Sequence, residues 1–323
     1  MNRFLVAVFP ALCAISSPCF SGGFPAGTLG NSLNPAFSST VHSPLWCAPD
    51  TSDSSAAIST GANEKVNTGR LILVGSTLTL SMVTIHIYQQ NGWWKDNRAP
   101  FHFEEDLVYG LNVDKFGHFF GATLMEFALS KTLVWANVSE QSALYLGSAG
   151  ALLFQTYVEV EDGFSTWGFD RVDFASDLAG SLWPIARYHI PSLRYVDMKL
   201  SYHPSSLLGK PGGTGFKGQK HLMIDDYEGQ TIWFSLKVGQ LLPSQIRSIW
   251  PEFLGLSLGY GVREVVGPNP YRVYFLAPDI DATKIIPPST PFLKTLGEAL
   301  NFVHLPLPAV QFLPGTVWYG LYF

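Results

Sequence analysis

The chain has 323 residues, enough for about two domains. It is 47% hydrophobic and 14% aromatic but only 14% charged, against roughly 25% charged residues in an average soluble domain. With 25 acidic and 20 basic residues the net charge is −5, and no dense Lys/Arg stripe exists to neutralise phosphates, so the composition argues against nucleic acid and toward a membrane or its surface.

The chain opens with Met1-Asn2-Arg3, an apolar run from Phe4 to Ile15 and a small-residue exit from Ser16 to Gly22, the pattern of a secretory signal. An export signal is therefore expected over residues 1–22. Neither Cys13 nor Cys19 follows a lipoprotein-type sequence, and removal of the signal leaves only Cys47, which rules out a disulfide framework and a cysteine-based zinc site. Residues 23–68, rich in Ser, Gly, Pro, Ala and Asn, read as an irregular leader without chemistry.

Leu71 to Tyr88 is an eighteen-residue stretch free of Asp, Glu, Lys and Arg, at the threshold for crossing a bilayer, and predicts a helix that is either spanning or buried. Three further apolar segments of helical length follow at Lys115–Trp135, Ser139–Val158 and Asp173–Tyr188. Together they predict a four-helix unit over residues 69–192, either a membrane-type or a buried bundle. The pairs Gly117/Gly121 and Gly147/Gly150 are expected to allow close helix contact.

After Pro191 the texture changes to short alternating runs separated by Gly and Pro: Thr231–Val238, Phe253–Tyr260, Tyr271–Leu276 and Val310–Phe323. Residues 193–323 are thus expected to form a β-rich domain of five or six strands, fewer than the eight of the smallest outer-membrane barrels, although the aromatic finish Trp318-Tyr319-Gly320-Leu321-Tyr322-Phe323 resembles the last strand of such a barrel. Gly209 to Gly215 reads as a flexible loop. The expected fold class is α+β.

The chemistry-bearing residues concentrate on the predicted helices. Asp114 and His118, four apart, share one helix face, and Asp114 suits an N-terminal cap. Upstream, His102 with Glu104, Glu105 and Asp106 reads as a solvated loop. Glu159 closes the third helix, while Asp173 and Asp177 share a face of the fourth. Carboxylates taken out of water need compensation, for which the candidates are Lys115 and Arg171 as ion-pair partners, His118 as a hydrogen-bond partner, a bound metal or a wet cleft.

The ordered motifs Asp114-Lys115-Phe116-Gly117-His118, Glu159-Val160-Glu161-Asp162-Gly163-Phe164-Ser165, Trp167-Gly168-Phe169 and Asp173 to Gly180 resemble the VanZ-like membrane family and, more closely, the exported YfiM-like lipoprotein family, over roughly residues 90 to 190. The stretches Asp226 to Trp233 and Gly259-Tyr260-Gly261 are similar to the extension of longer members of that exported family. The resemblance implies an exported location and a helical arrangement, and brings no activity with it. The chain departs from the lipoprotein members in lacking their acylation signal, which makes transmembrane or β-mediated attachment the alternative.

Three functions are consistent with these residues. The first is an envelope protein with a structural or interaction role, in which Asp114, Lys115, His118, Glu159, Asp173 and Asp177 form a polar lock between helices. The second is a metal-dependent hydrolase acting on an envelope lipid or glycan, with Asp114, His118, Glu159, Asp173 and Asp177 as the catalytic cluster and His118, Glu159, Asp173 and Asp177 as candidate ligands of a divalent metal; no other cofactor is expected. The third is an outer-membrane β-barrel-like protein. The expected partner is a membrane or envelope lipid, and the expected location is the outer membrane or periplasm rather than the inner membrane. No phosphate-binding Gly-rich loop followed by Lys-Ser or Lys-Thr and no His-Glu-x-x-His is present.

Overall fold

A computed structural model describes residues 65–91, 94–105, 107, 109–210 and 222–323. The expected export signal, its cysteines, Cys47, nearly all of the leader and most of the Gly-rich loop lie outside the described residues. Within them the chain is a mixed helix-and-sheet protein, with helices in the first part and a six-stranded antiparallel sheet in the last.

Helix α1 (Thr68–Asn91) has only Val74 buried, and it is long and apolar enough to cross a membrane. It is tied to the rest near its two ends. Arg70 donates to the Trp135 carbonyl at 2.9 Å and lies over the Trp135 ring, while His86 Nδ1 meets the Tyr157 hydroxyl at 2.6 Å and Gln90 donates to Glu161 at 3.1 Å.

Helices α2 (Val113–Trp135), α3 (Glu140–Gly163) and α4 (Arg171–His189) pack on one another. Their spans exceed the apolar runs by a few residues because polar caps and terminal turns carry no hydrophobic signal. Ser139 caps α3 by accepting from Ser142 N at 3.2 Å, and Asp170 caps α4 by accepting from Val172 N at 2.7 Å. Of the two expected pairs, Gly147/Gly150 lies at a close approach and Gly117/Gly121 does not. A Cβ on Gly117 would meet nothing within 4 Å, and one on Gly121 would only reach ordinary contact. A Cβ on Gly180 of α4, in contrast, would overlap the Phe119 backbone of α2, and one on Gly147 of α3 would lie 3.1 Å from the Glu126 carbonyl oxygen. Gly180 and Gly147 therefore set how near α4 and α3 come to α2.

The chain enters α2 through Gly110, Leu111 and Asn112, all at positive φ (52°, 49° and 74°). This turn places Asn112, without a side-chain hydrogen bond, at the cap position. Asp114 sits one residue inside α2, and the expectation that it caps the helix is corrected accordingly. A short parallel pair, β1 (Phe103–Glu104) and β2 (Phe169–Asp170), brings the segment before α2 beside the start of α4.

The large sheet is a meander of β3 (Val196–Tyr202), β4 (Gln230–Leu236), β5 (Leu254–Arg263), β6 (Tyr271–Ile280), β7 (Leu307–Leu313) and β8 (Val317–Tyr322), each strand antiparallel to the next. A helix, α7 (Pro291–Leu300), interrupts the run before β7, after the short turns α5 (Ser244–Arg247) and α6 (Ala282–Ile285). Strand β3 and helix α7 are not among the segments expected from the sequence, and the terminal apolar run divides into two strands around Pro314-Gly315. The ring of Phe323 lies 5.9 Å from that of His203, so the end of β8 returns near the end of β3.

Alternation gives the sheet two different faces. One encloses an aromatic core of Trp233, Phe275 and Tyr322 and, beside it, a charged network. The opposite face is apolar, with Phe234, Leu256, Leu258, Leu276 and Phe312 exposed where the helices do not cover it. Phe116 of α2 covers part of that face, edge-on to Phe234 and Tyr260 at 5.7 and 5.3 Å.

Candidate functional site

The structure brings all five acid and histidine residues singled out from the sequence into one cluster at the junction of α2, α3 and α4. Two further groups complete it: Lys115 of α2 and Asp170, the cap of α4. Lys115 Nζ donates to Asp170 at 2.8 Å and Asp173 at 2.9 Å and lies 3.4 Å from Asp114. Arg171, the other proposed ion-pair partner, is not part of the cluster; it points outward and pairs with Glu105 at 3.3 Å in an exposed position.

His118 stands at the centre, one ring nitrogen toward each half of the cluster. Its Nδ1 lies 3.1 Å from Asp177 Oδ1 and 3.6 Å from Glu159 Oε1, and its Nε2 lies 3.9 Å from Asp114 and 3.8 Å from Asp173. Asp177, fully buried, also accepts from Gln155 Nε2 at 2.6 Å through the same oxygen. Its other oxygen, Oδ2, has no hydrogen-bond donor among the described residues. Asp114 accepts from the Tyr227 hydroxyl at 2.6 Å, a bond that ties α2 to the segment leading into β4. The i, i+4 spacing put the members of each pair on one face; the packing of the starts of α2 and α4 side by side, against the end of α3, then made the pairs converge.

The electrostatics follow from burial and from the excess of acids. Burial alone would lower the His118 pKa, but the hydrogen bond to Asp177 and the charges of Asp114, Asp177 and Asp173 outweigh it and lift the imidazole to about 10. Burial pushes Glu159 up to about 9; His118 opposes the shift, and Asp173 and Asp177 add to it. Asp173 is raised by burial and by Asp114, against His118 and Lys115. For Lys115 the desolvation is overcome by Asp114 and by its bonds to Asp170 and Asp173, and its pKa is raised. Such a cluster can hold protons, pin helices or bind a cation. An apolar groove of about 340 Å³ lies nearby, between Phe116 and the strands carrying Phe234, Leu258, Tyr260 and Tyr274, but none of the five cluster residues lines it.

A second polar network, which the sequence reading missed, fills one end of the sheet interior. Lys199, fully buried, donates to the Ile280 carbonyl at 2.7 Å and Asn301 at 2.9 Å and pairs with Asp279 at 2.7 Å. Asp197 accepts from Arg187 at 2.7 Å and Asn301 at 2.9 Å, and Lys237 bridges Asp197 and Asp281 at 3.1 and 3.0 Å. His304 stacks on Trp233 at 3.9 Å, and burial lowers its pKa to about 4. The signal was present in Val196-Asp197-Met198-Lys199-Leu200-Ser201, where polar and apolar residues alternate with the period of a strand that has one polar face.

No protein-family model, curated protein or solved structure matches the chain.

Proposed function

We propose that the protein is an exported cell-envelope component that rests against lipid and has a structural or interaction role, its helices fixed by the cluster around Lys115. The observation that carries this reading is the saturation of Lys115 from within: one ammonium is shared by carboxylates of α2, β2 and α4 at 2.8 to 3.4 Å. A buried cation so placed fixes the relative position of the elements that supply its partners. In this reading α1 completes a four-helix unit, and Tyr227 couples that unit to the sheet through Asp114.

Contact with lipid is supported by the surface. Ile72, Leu73, Leu80, Val83 and Ile87 of α1 are exposed, as are Trp318 (79%) and Leu321 (62%) of β8. Apolar exposure on this scale marks an interaction surface, and a strand face that is apolar outward opposite a partly charged interior is the pattern of lipid-facing strands. The resemblance to the exported YfiM-like family points to the same compartment, with the outer membrane or periplasm as the proposed location.

Flotation of the full chain with phosphatidylethanolamine–phosphatidylglycerol vesicles tests the reading. The protein is expected to float with the vesicles, and Trp318→Ser with Leu321→Ser to reduce the floated fraction at unchanged far-UV circular dichroism. A folded protein that stays at the bottom of the gradient overturns it.

A further inference from the structure

The two buried networks differ in charge balance. In the sheet, Asp197, Asp279 and Asp281 face Lys199, Lys237 and Arg187, three against three. In the helical cluster five carboxylates, Asp114, Glu159, Asp170, Asp173 and Asp177, surround two cationic side chains, Lys115 and His118. The shortfall is local. Lys115 serves the half made by Asp114, Asp170 and Asp173, whereas the half made by Glu159 and Asp177 has only the shared imidazole. In that half the Asp177 Oδ2 atom, wholly buried, meets no donor among the described residues.

We propose that this second half is a binding site for one divalent transition-metal ion, held by His118 Nδ1, Glu159 and Asp177. One ligand atom from each of these residues lies within 4.8 Å of the others, a spacing that metal–ligand bonds of about 2.1 Å can close with small side-chain movements. One nitrogen and two carboxylate oxygens form a donor set suited to Mn²⁺ or Zn²⁺. With Nδ1 on the ion, the remaining ring N–H is Nε2–H, which faces Asp114 and Asp173 at 3.9 and 3.8 Å; a carboxylate behind a ligating histidine is the usual outer-shell support. Gln155, at 2.6 Å from Asp177, orients that carboxylate. The ion would take two carboxylates and a neutral imidazole, so binding is expected to weaken as the pH falls.

The inference rests on the reading of the cluster as the pin between helices and adds the ion that completes it. It divides the sequence-derived ligand candidates: His118, Glu159 and Asp177 bind, while Asp173 belongs to Lys115.

The test uses full-length protein in detergent, stripped with a chelator and titrated calorimetrically with MnCl₂ and, separately, ZnCl₂, with thermal unfolding followed in parallel. Binding of one ion per chain and a raised unfolding midpoint are expected. Glu159→Gln keeps the size and shape of the side chain, but it is expected to weaken binding by on the order of 100-fold, as is Asp177→Asn. Asp170→Asn, at a carboxylate that meets Lys115 and not His118, is expected to lower stability while binding is kept, which separates the pin from the ion. A folded wild type that takes up neither metal at millimolar concentration overturns the proposal, as does binding unchanged in both Glu159→Gln and Asp177→Asn. Loss of binding with Asp170→Asn alone also overturns it.

Discussion

Replacing Lys115 with Met removes the ammonium and keeps most of the apolar stem, leaving Asp170 and Asp173 without the donor that now stands at 2.8 and 2.9 Å. Breaking a buried ion pair by removing one partner costs about 3–5 kcal/mol, because the remaining charge stays desolvated. Asp173 has a relief route, since burial has already raised its pKa and a proton can replace the lysine there. Asp170 is less free to respond, because its other oxygen caps α4. The expected loss is therefore about 3 kcal/mol, a large share of the 5–15 kcal/mol that stabilises a typical domain. Urea unfolding in detergent at pH 7, read by tryptophan fluorescence, measures it. The double variant Lys115→Met with Asp173→Asn is expected to be less destabilised than the sum of the single variants by about 1–3 kcal/mol, as for any pair in direct contact. If Lys115→Met lies within about 0.5 kcal/mol of wild type, the lysine is not the pin and the structural reading of the cluster fails.

Three further outcomes are expected. Gly180→Ala forces a methyl onto the Phe119 backbone and is expected to cost about 1–3 kcal/mol or more, read by the same unfolding curves; an unchanged midpoint would show that α2 and α4 separate freely. Tyr227→Phe removes the 2.6 Å bond to Asp114 and is expected to destabilise by about 1.5–3 kcal/mol, since the acceptor is a carboxylate. His304, held near pKa 4 when folded and about 6.5 when unfolded, contributes stability present above pH 6.5 and lost as the pH falls through 4. His304→Phe keeps a ring on Trp233 without the titration, so the stability difference, wild type minus variant, is expected to shrink by about 3 kcal/mol between pH 7 and pH 4. A constant difference would refute the assignment.

Much of the helical half could be read along the chain. Each of its four helices carries its own apolar length, and the i, i+4 pairs Asp114/His118 and Asp173/Asp177 follow from the α-helical period, which is local chemistry. The strands were partly legible for the same reason: Thr231 to Val238 alternates within one segment. Strand β3 escaped because its alternation includes Asp197 and Lys199, charges that look like solvent until partners about 80 to 100 residues away, Asp279 and Asn301, are brought to them.

The sequence by itself thus determined which residues share a helix face, and hence the five members of the cluster. It did not determine how they are shared out. That Lys115 goes to Asp170 and Asp173 while His118 turns to Asp177 and Glu159, that Arg171 stays outside, and that Gly180 rather than Gly117 lets the helices touch depend on the rotation and separation of three packed helices. Those quantities arise from contacts between segments far apart in the chain, whereas helical periodicity orders side chains only around a single axis.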